Sequence, residues 1–266
     1  GEIYDARLEK AGWNKPGYKA GSEQAESEWK SPLAMEPPGG TMVSQTMEPI
    51  KVVMDIKTLS VNNPKPGIYV YDLGQNISGW VTLKVEGARG TKVIMRYAEL
   101  LYEDGAINRE NIRAAKAADT YILKGEGIET FEPRFTYHGF RYVQIEGFPG
   151  VPGIDSITGC VVRSAVEASG SFKCSNALIN KIQETVDWTE ANNLHGLPTD
   201  CPQRDERLGW LNDMTIRAEE AVYNFNMTKM YQKWERDIAD AQGVKTGAIT
   251  DTAPFHRYGR RPADPV

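Results

Sequence analysis

Histidine and cysteine are scarce in this chain of 266 residues, with three of each. His138, His195 and His256 are far apart, which excludes the closely spaced ligand pattern of a zinc site. Cys160, Cys174 and Cys201 are odd in number and not spaced as metal ligands, so no disulfide framework is implied. A Cys160–Cys174 bridge would require adjacent strands, and Cys201 reads as a small packed residue rather than a nucleophile. No apolar run approaches the roughly 20 residues of a membrane-spanning helix. There is no glycine-rich phosphate loop. Basic charge is not in excess either. The formal net charge is −5 and the basic residues are dispersed, which argues against nucleic acid as a partner. The expectation is therefore no metal, no cofactor, no nucleic acid and no membrane partner. The chain starts at the charged stretch GEIYDARLEK without an initiator Met and stops at ADPV, and is read as a fragment of something longer. Its compartment (periplasmic, secreted or cytoplasmic) and its oligomeric state stay open.

The composition, 40% hydrophobic and 25% charged, is that of an ordinary globular protein. Residues 1–62 read as irregular, rich in Gly, Pro, Ser, Lys and Glu between 12 and 40, with one or two strands within 42–56. From Gly67 the pattern turns to β. A strand at 68–71, a turn at 72–76, a strand at 77–85, the tight turn GARG and a strand at 92–98 read as a hairpin. Further short strands are expected at 119–123, 134–137, 140–146, 161–166 and 170–172. Such spacing predicts an antiparallel β-sandwich. Asp72, Gln75 and Asn76 read as turn-formers rather than ligand contacts. The aromatic run FTYHGFRYV at 135–143 is either a sugar platform or core packing around a Gly-marked bulge, and core packing is preferred.

At Cys174 the period becomes helical. Three helices are expected, from an N-cap at Ser175 to about Asn193, from about 212 to 225, and from about 227 to 242. Short connections make them antiparallel neighbours. Their apolar faces need partners that residues 246–266 cannot supply.

Between the first two helices lies the densest charge in the chain, PTDCPQRDERLGWLND at 198–213. Asp200, Asp205, Glu206 and Asp213 are threaded with Arg204 and Arg207 around Trp210. Two readings stand: a surface salt-bridge cluster, or a site for a polar ligand. Carboxylates that accept from vicinal hydroxyls, beside a tryptophan that packs on an apolar sugar face, are the chemistry of a carbohydrate subsite. Mixed acid and arginine neighbours can also shift carboxyl groups in opposite directions.

The order D-C-P-Q-R-D-E-R-L-G-W-x-x-D resembles the signature of α-L-rhamnosidases, whose catalytic domain is a six-hairpin (α/α)6 barrel. DLGQNISGW at 72–80, RYAEL at 96–100 and FTYHGFRY at 135–142 resemble that family's jelly-roll, concanavalin-like β-sandwich, and GEIYDAR at 1–7 resembles the end of its N-terminal β-domain. The resemblance implies an N-terminal β-domain remnant and linker over 1–62, a β-sandwich over 63–168 and the first helices of a truncated barrel over 169–266. It implies hydrolysis of terminal α-L-rhamnosyl residues from glycosides or plant polysaccharides with inversion. Glu206 would be the general acid, Asp200 and Asp213 would bind rhamnose hydroxyls, Trp210 would line the subsite, and Arg204 would support it. The general base would lie beyond residue 266, so this stretch alone is expected to be inactive. Leu211-Asn212 replaces the family's common Thr-Gly before the Asp. The alternatives are another (α/α)6-barrel glycosidase of different specificity, or a non-catalytic carbohydrate-binding fragment.

Overall fold

The computed structural model describes residues 1–18, 32–37 and 39–255. His256 and the segment 262–266 lie outside the described residues. Among the described residues the order is eleven strands followed by three α-helices. The strands are β1 Ile3–Asp5, β2 Ile50–Lys57, β3 Ser60–Lys65, β4 Ile68–Glu86, β5 Lys92–Ala98, β6 Leu100–Leu101, β7 Ile107–Asn108, β8 Ala118–Ile122, β9 Ile128–Phe131, β10 His138–Glu146 and β11 Ile157–Ser164. Nine form one curled sheet in the order β1-β8-β5-β10-β4-β11-β2, with β3 and β9 also paired to β4. Every pairing is antiparallel except β1 with β8.

The 19-residue β4 is the spine. Its first residues share β10 with β5, since Ile68 pairs with Glu146 and Glu146 with Ile94. Two inter-strand steps put residues 68 and 94 roughly 10 Å apart. The eight residues from 86 to 94 can span at most about 28 Å. A straight β4 would be about 60 Å long, so it must curl. A bulge supplies part of the bend: Phe140 faces Ile77 and Tyr142 faces Asp72, leaving Leu73–Asn76 opposite Arg141 alone. Gly79 supplies more, with φ +149 and a position where a Cβ would lie 1.9 Å from the Cys160 carbonyl oxygen.

The expected turn at 72–76 is therefore a bulge within one strand. The expected hairpin between 77–85 and 92–98 does not form, because β10 lies between β4 and β5. The end of β4 has curled away to pair with β9, a strand absent from the sequence reading. Residues 134–137 and 170–172 are irregular rather than strands. In the first, the amides of Arg134 and Phe135 donate to the Glu2 carboxylate at 3.0 and 3.2 Å instead of to a neighbouring strand. Tyr71, Ile77, Leu83, Met95, Tyr97, Phe140 and Ile145 fill the core enclosed by the sheet.

The helices are α1 Ala177–Asn192, α2 Leu211–Asn224 and α3 Thr228–Ala241. The cap of α1 is Asn176, not Ser175: its Oδ1 accepts from the amides of Leu178 and Ile179. A second core joins them through Leu194, Met214, Phe225, Met227, Met230 and Trp234. Trp188 packs on the sandwich core. The result is a curled β-sheet domain followed by three helices, the order the sequence predicts. The three cysteines are free.

Candidate active site

The segment between α1 and α2 is a closed loop. Asp200 fastens it twice: its amide donates to the Leu208 carbonyl at 3.0 Å, and its Oδ1 accepts from the Leu208 amide at 2.7 Å. Arg207 takes φ +55 to make the turn. The Asp200 Oδ2 accepts from the Cys201 thiol at 2.8 Å. Burial pushes that thiol up to about 11, with the Asp200 contact adding to the shift, so it stays a neutral donor rather than a nucleophile. Arg204 lies 3.6 Å from the same oxygen. The Asp200 side chain is 4% exposed, and its known partners are all within the loop.

Glu206 faces outward from this loop, with both oxygens engaged by donors. The indole Nε1 of Trp210 donates to Oε1 at 3.1 Å. Arg204 donates to Oε2 through Nε at 3.1 Å with its Nη2 3.0 Å away, and Arg113 donates to the same oxygen at 2.8 Å. Arg113 comes from the β-domain, 93 residues earlier. Donor atoms of Asp200, Cys201 and Glu206 all lie within 4.8 Å of one another, a set that could hold a cation. The Arg204 guanidinium, bonded to Glu206 and facing Asp200, already supplies positive charge there. Glu206 opens on a cleft of about 330 Å³ lined also by Arg204, Asp205, Arg207, Lys116 and Thr136.

The loop rests on both domains. Gly139 of β10 lets it approach, since a Cβ there would lie 2.8 Å from the Gln203 amide nitrogen. The Arg207 guanidinium lies 3.9 Å above the Tyr137 ring and donates to the Tyr137 carbonyl. The opposite partner of Tyr137 is His195, stacked at 3.9 Å. Burial holds His195 down to about 3, with Arg207 and Arg163 adding to the shift, so the ring is neutral. From beneath, Arg217 of α2 donates to the Thr199 carbonyl at 3.0 Å and pairs with buried Glu190 at 3.2 Å. Burial outweighs that ion pair and raises Glu190 to about 7.

Of the residues singled out by sequence, Arg204, Glu206 and Trp210 are brought into one hydrogen-bonded group, and Asp200 joins it through its ion pair with Arg204. Asp213 stands apart, exposed in the first turn of α2. The aromatic run is divided. His138 and Phe140 are buried, with His138 bonded to Asp119 at 2.9 Å, while Phe135 is exposed and Tyr137 supports the loop. Sequence reasoning missed Arg113 and the Tyr137–His195 stack. Among these, only the Gly139 break in an aromatic strand hinted at a close approach.

Residues 62–163 match the bacterial alpha-L-rhamnosidase concanavalin-like domain, and residues 167–264 match the bacterial alpha-L-rhamnosidase 6 hairpin glycosidase domain. A curated alpha-L-rhamnosidase of Streptomyces avermitilis is 42% identical over 96% of this chain and 24% of its own length. The structure of alpha-L-rhamnosidase from Dictyoglumus thermophilum superposes with a TM-score of 0.91 at 49% identity, covering 96% of this chain and 28% of that one. The crystal structure of the Streptomyces avermitilis enzyme complexed with L-rhamnose also gives 0.91, at 41% identity, over 97% of this chain and 24% of that one. The chain spans about a quarter of the length of the curated relatives it matches.

Proposed function

This chain belongs to the bacterial α-L-rhamnosidases, and from that premise we propose that its protein hydrolyses terminal α-L-rhamnosyl residues with Glu206 as general acid. The observation that carries the reading is the placement of Glu206. Its carboxyl lies at a cleft, and its two oxygens are oriented by Trp210, Arg204 and Arg113. In the proposed step Glu206 gives its proton to the glycosidic oxygen as the bond from that oxygen to C1 breaks. A carboxyl that carries the proton no longer balances the charge of two arginines, so one of them can leave. Arg113, with a side chain 58% exposed, is the one freed at least cost.

Inversion needs a second carboxylate roughly 6.5–9.5 Å away, with a water between. Asp200 does not suit that role: its carboxylate has an oxygen within 4.8 Å of Glu206 and is engaged by the loop. We place the base outside residues 1–266. It takes a proton from water as the water attacks C1 from the opposite face. Asp200 orders the loop and offers its remaining lone pairs to a sugar hydroxyl. Trp210 presents its ring to the apolar face of rhamnose, and Asp213 accepts from a further hydroxyl. Arg204 keeps Glu206 and Asp200 in register. In the full-length protein, Glu206→Gln should lower kcat on a nitrophenyl α-L-rhamnoside by about 10²–10⁴-fold. Retention of more than about a tenth of the activity would remove Glu206 from the role.

A further inference from the structure

A second cleft, of about 610 Å³, opens between the outer face of β5 and β8 and the loop of residues 109–116. Its charged side chains are all cationic: Lys92 and Arg96 from β5, and Arg109, Arg113 and Lys116 from the loop. Lys92 and Arg96 share one face through the two-residue period of a strand. In a chain of net charge −5 this is a local inversion of sign. Two of the five are ion-paired, Arg96 with Glu146 and Arg113 with Glu206, each at 2.8 Å. Among the described residues, Lys92, Arg109 and Lys116 are in no ion pair. Arg109 donates to the Lys116 carbonyl, but its Nε is buried with no hydrogen-bond partner. Burial and the charge of Arg96 lower its affinity for its proton, and the Glu146 carboxylate offsets only part of this. An anion in the cleft would offset the two costs together.

The cleft adjoins the one at Glu206 and shares lining residues with it. Gly1, Ala115 and Lys116 line both cavities, and Arg113 spans from one to the carboxylate of the other. A general acid delivers its proton to the leaving oxygen, so space flanking Glu206 on this side takes the leaving group.

We propose that this cleft is a leaving-group subsite for an anionic saccharide, one whose sugar next to rhamnose carries a carboxylate or sulfate. The proposal rests on Glu206 being the acid. It adds a coupling: an anion held by Arg109 and Lys116 competes with Glu206 for Arg113 and draws that guanidinium away from the acid.

The test uses the full-length protein and three matched substrates: a rhamnosyl-glucuronate, its uronate methyl ester and a rhamnosyl glucoside sulfate. At low ionic strength, kcat/KM for at least one anionic substrate should exceed that of the ester by about tenfold or more, the worth of one charged hydrogen bond. The ratio should fall toward one in about 1 M salt, where screening is nearly complete. Lys92→Gln combined with Arg109→Gln should reduce the ratio about tenfold. A carboxylate preference or a sulfate preference supports the subsite and identifies its anion. Equal kcat/KM for all three, insensitive to salt, overturns it. If no rhamnoside of any kind is cleaved, the reading of Glu206 fails instead. Titration of methyl glucuronide and methyl glucoside sulfate then still decides the cleft, which is refuted if neither binds more tightly to wild type than to the double variant.

Discussion

Glu206 and His195 occupy the same loop platform under opposite constraints. Glu206 is surrounded by donors and opens to a cleft. His195 is sealed between Tyr137 and the arginines and is kept neutral. The sign of its contribution to stability follows. Its folded value of about 3 lies below the ordinary 6.5, so the unfolded chain takes up a proton first as pH falls through 6.5. Stability is present at neutral pH and lost toward about 3. Urea unfolding of wild type and His195→Gln at pH 7 and pH 4.5 should show the wild type's advantage shrinking by about 2 to 3 kcal/mol at the lower pH. An unchanged difference would mean that His195 is protonated in the fold. Glu190 runs the other way. Its folded value is raised to about 7, so its contribution is present below about 4.5 and lost as pH rises through 7. At this scale the sequence was informative where the signal is local. Asp200, Arg204, Glu206 and Trp210 sit within eleven consecutive positions and meet in space. Arg113 was invisible because its partner lies 93 residues away and nothing in RENIRAAK sets it apart.

At the scale of elements, the helices were legible to within about two residues because their 3.6-residue period and terminators are local. Strand existence was mostly legible and strand pairing was not. The residues Asp72-Leu73-Gly74-Gln75-Asn76 have turn chemistry, yet Arg141 holds Asp72 with two bonds of 2.7 and 2.8 Å, which pins them as a bulge on β4. A bulge and a reversal use the same residue types, so only the register separates them. The capping assignment gives a direct check. Asn176→Ala should cost about 1 kcal/mol in denaturant unfolding, and Ser175→Ala close to nothing; the reverse order would return the cap to Ser175. Gly139→Ala tests the seating of the loop on β10. A methyl group 2.8 Å from the Gln203 nitrogen must push the loop away. The variant should lose about 1–3 kcal/mol of stability, the usual cost of overpacking. Its kcat should fall as Glu206 moves. Unchanged kcat with reduced stability would separate the loop's seating from catalysis.

For the whole molecule, the two domains are joined by buried hydrogen bonds as well as packing. Asn192, at the end of α1, accepts from the Ser78 amide at 2.9 Å and donates to the Asn76 carbonyl at 3.1 Å, both on β4. Asn192→Leu should cost about 1–3 kcal/mol by taking the acceptor from the buried Ser78 amide; a neutral result in thermal unfolding would show that the junction rests on packing alone. The same junction sets the Asp200–Trp210 loop against the β-domain, so Arg113 can reach Glu206. That architecture makes the setting of Glu206 a product of both domains. In the full-length protein, Glu206→Gln should be compared with wild type on a dinitrophenyl rhamnoside, whose leaving oxygen needs no proton, and on an alkyl rhamnoside, whose leaving oxygen does. If Glu206 is the general acid, kcat/KM for the alkyl substrate should fall at least about 10²-fold further than for the dinitrophenyl substrate. Equal losses on the two would contradict that role.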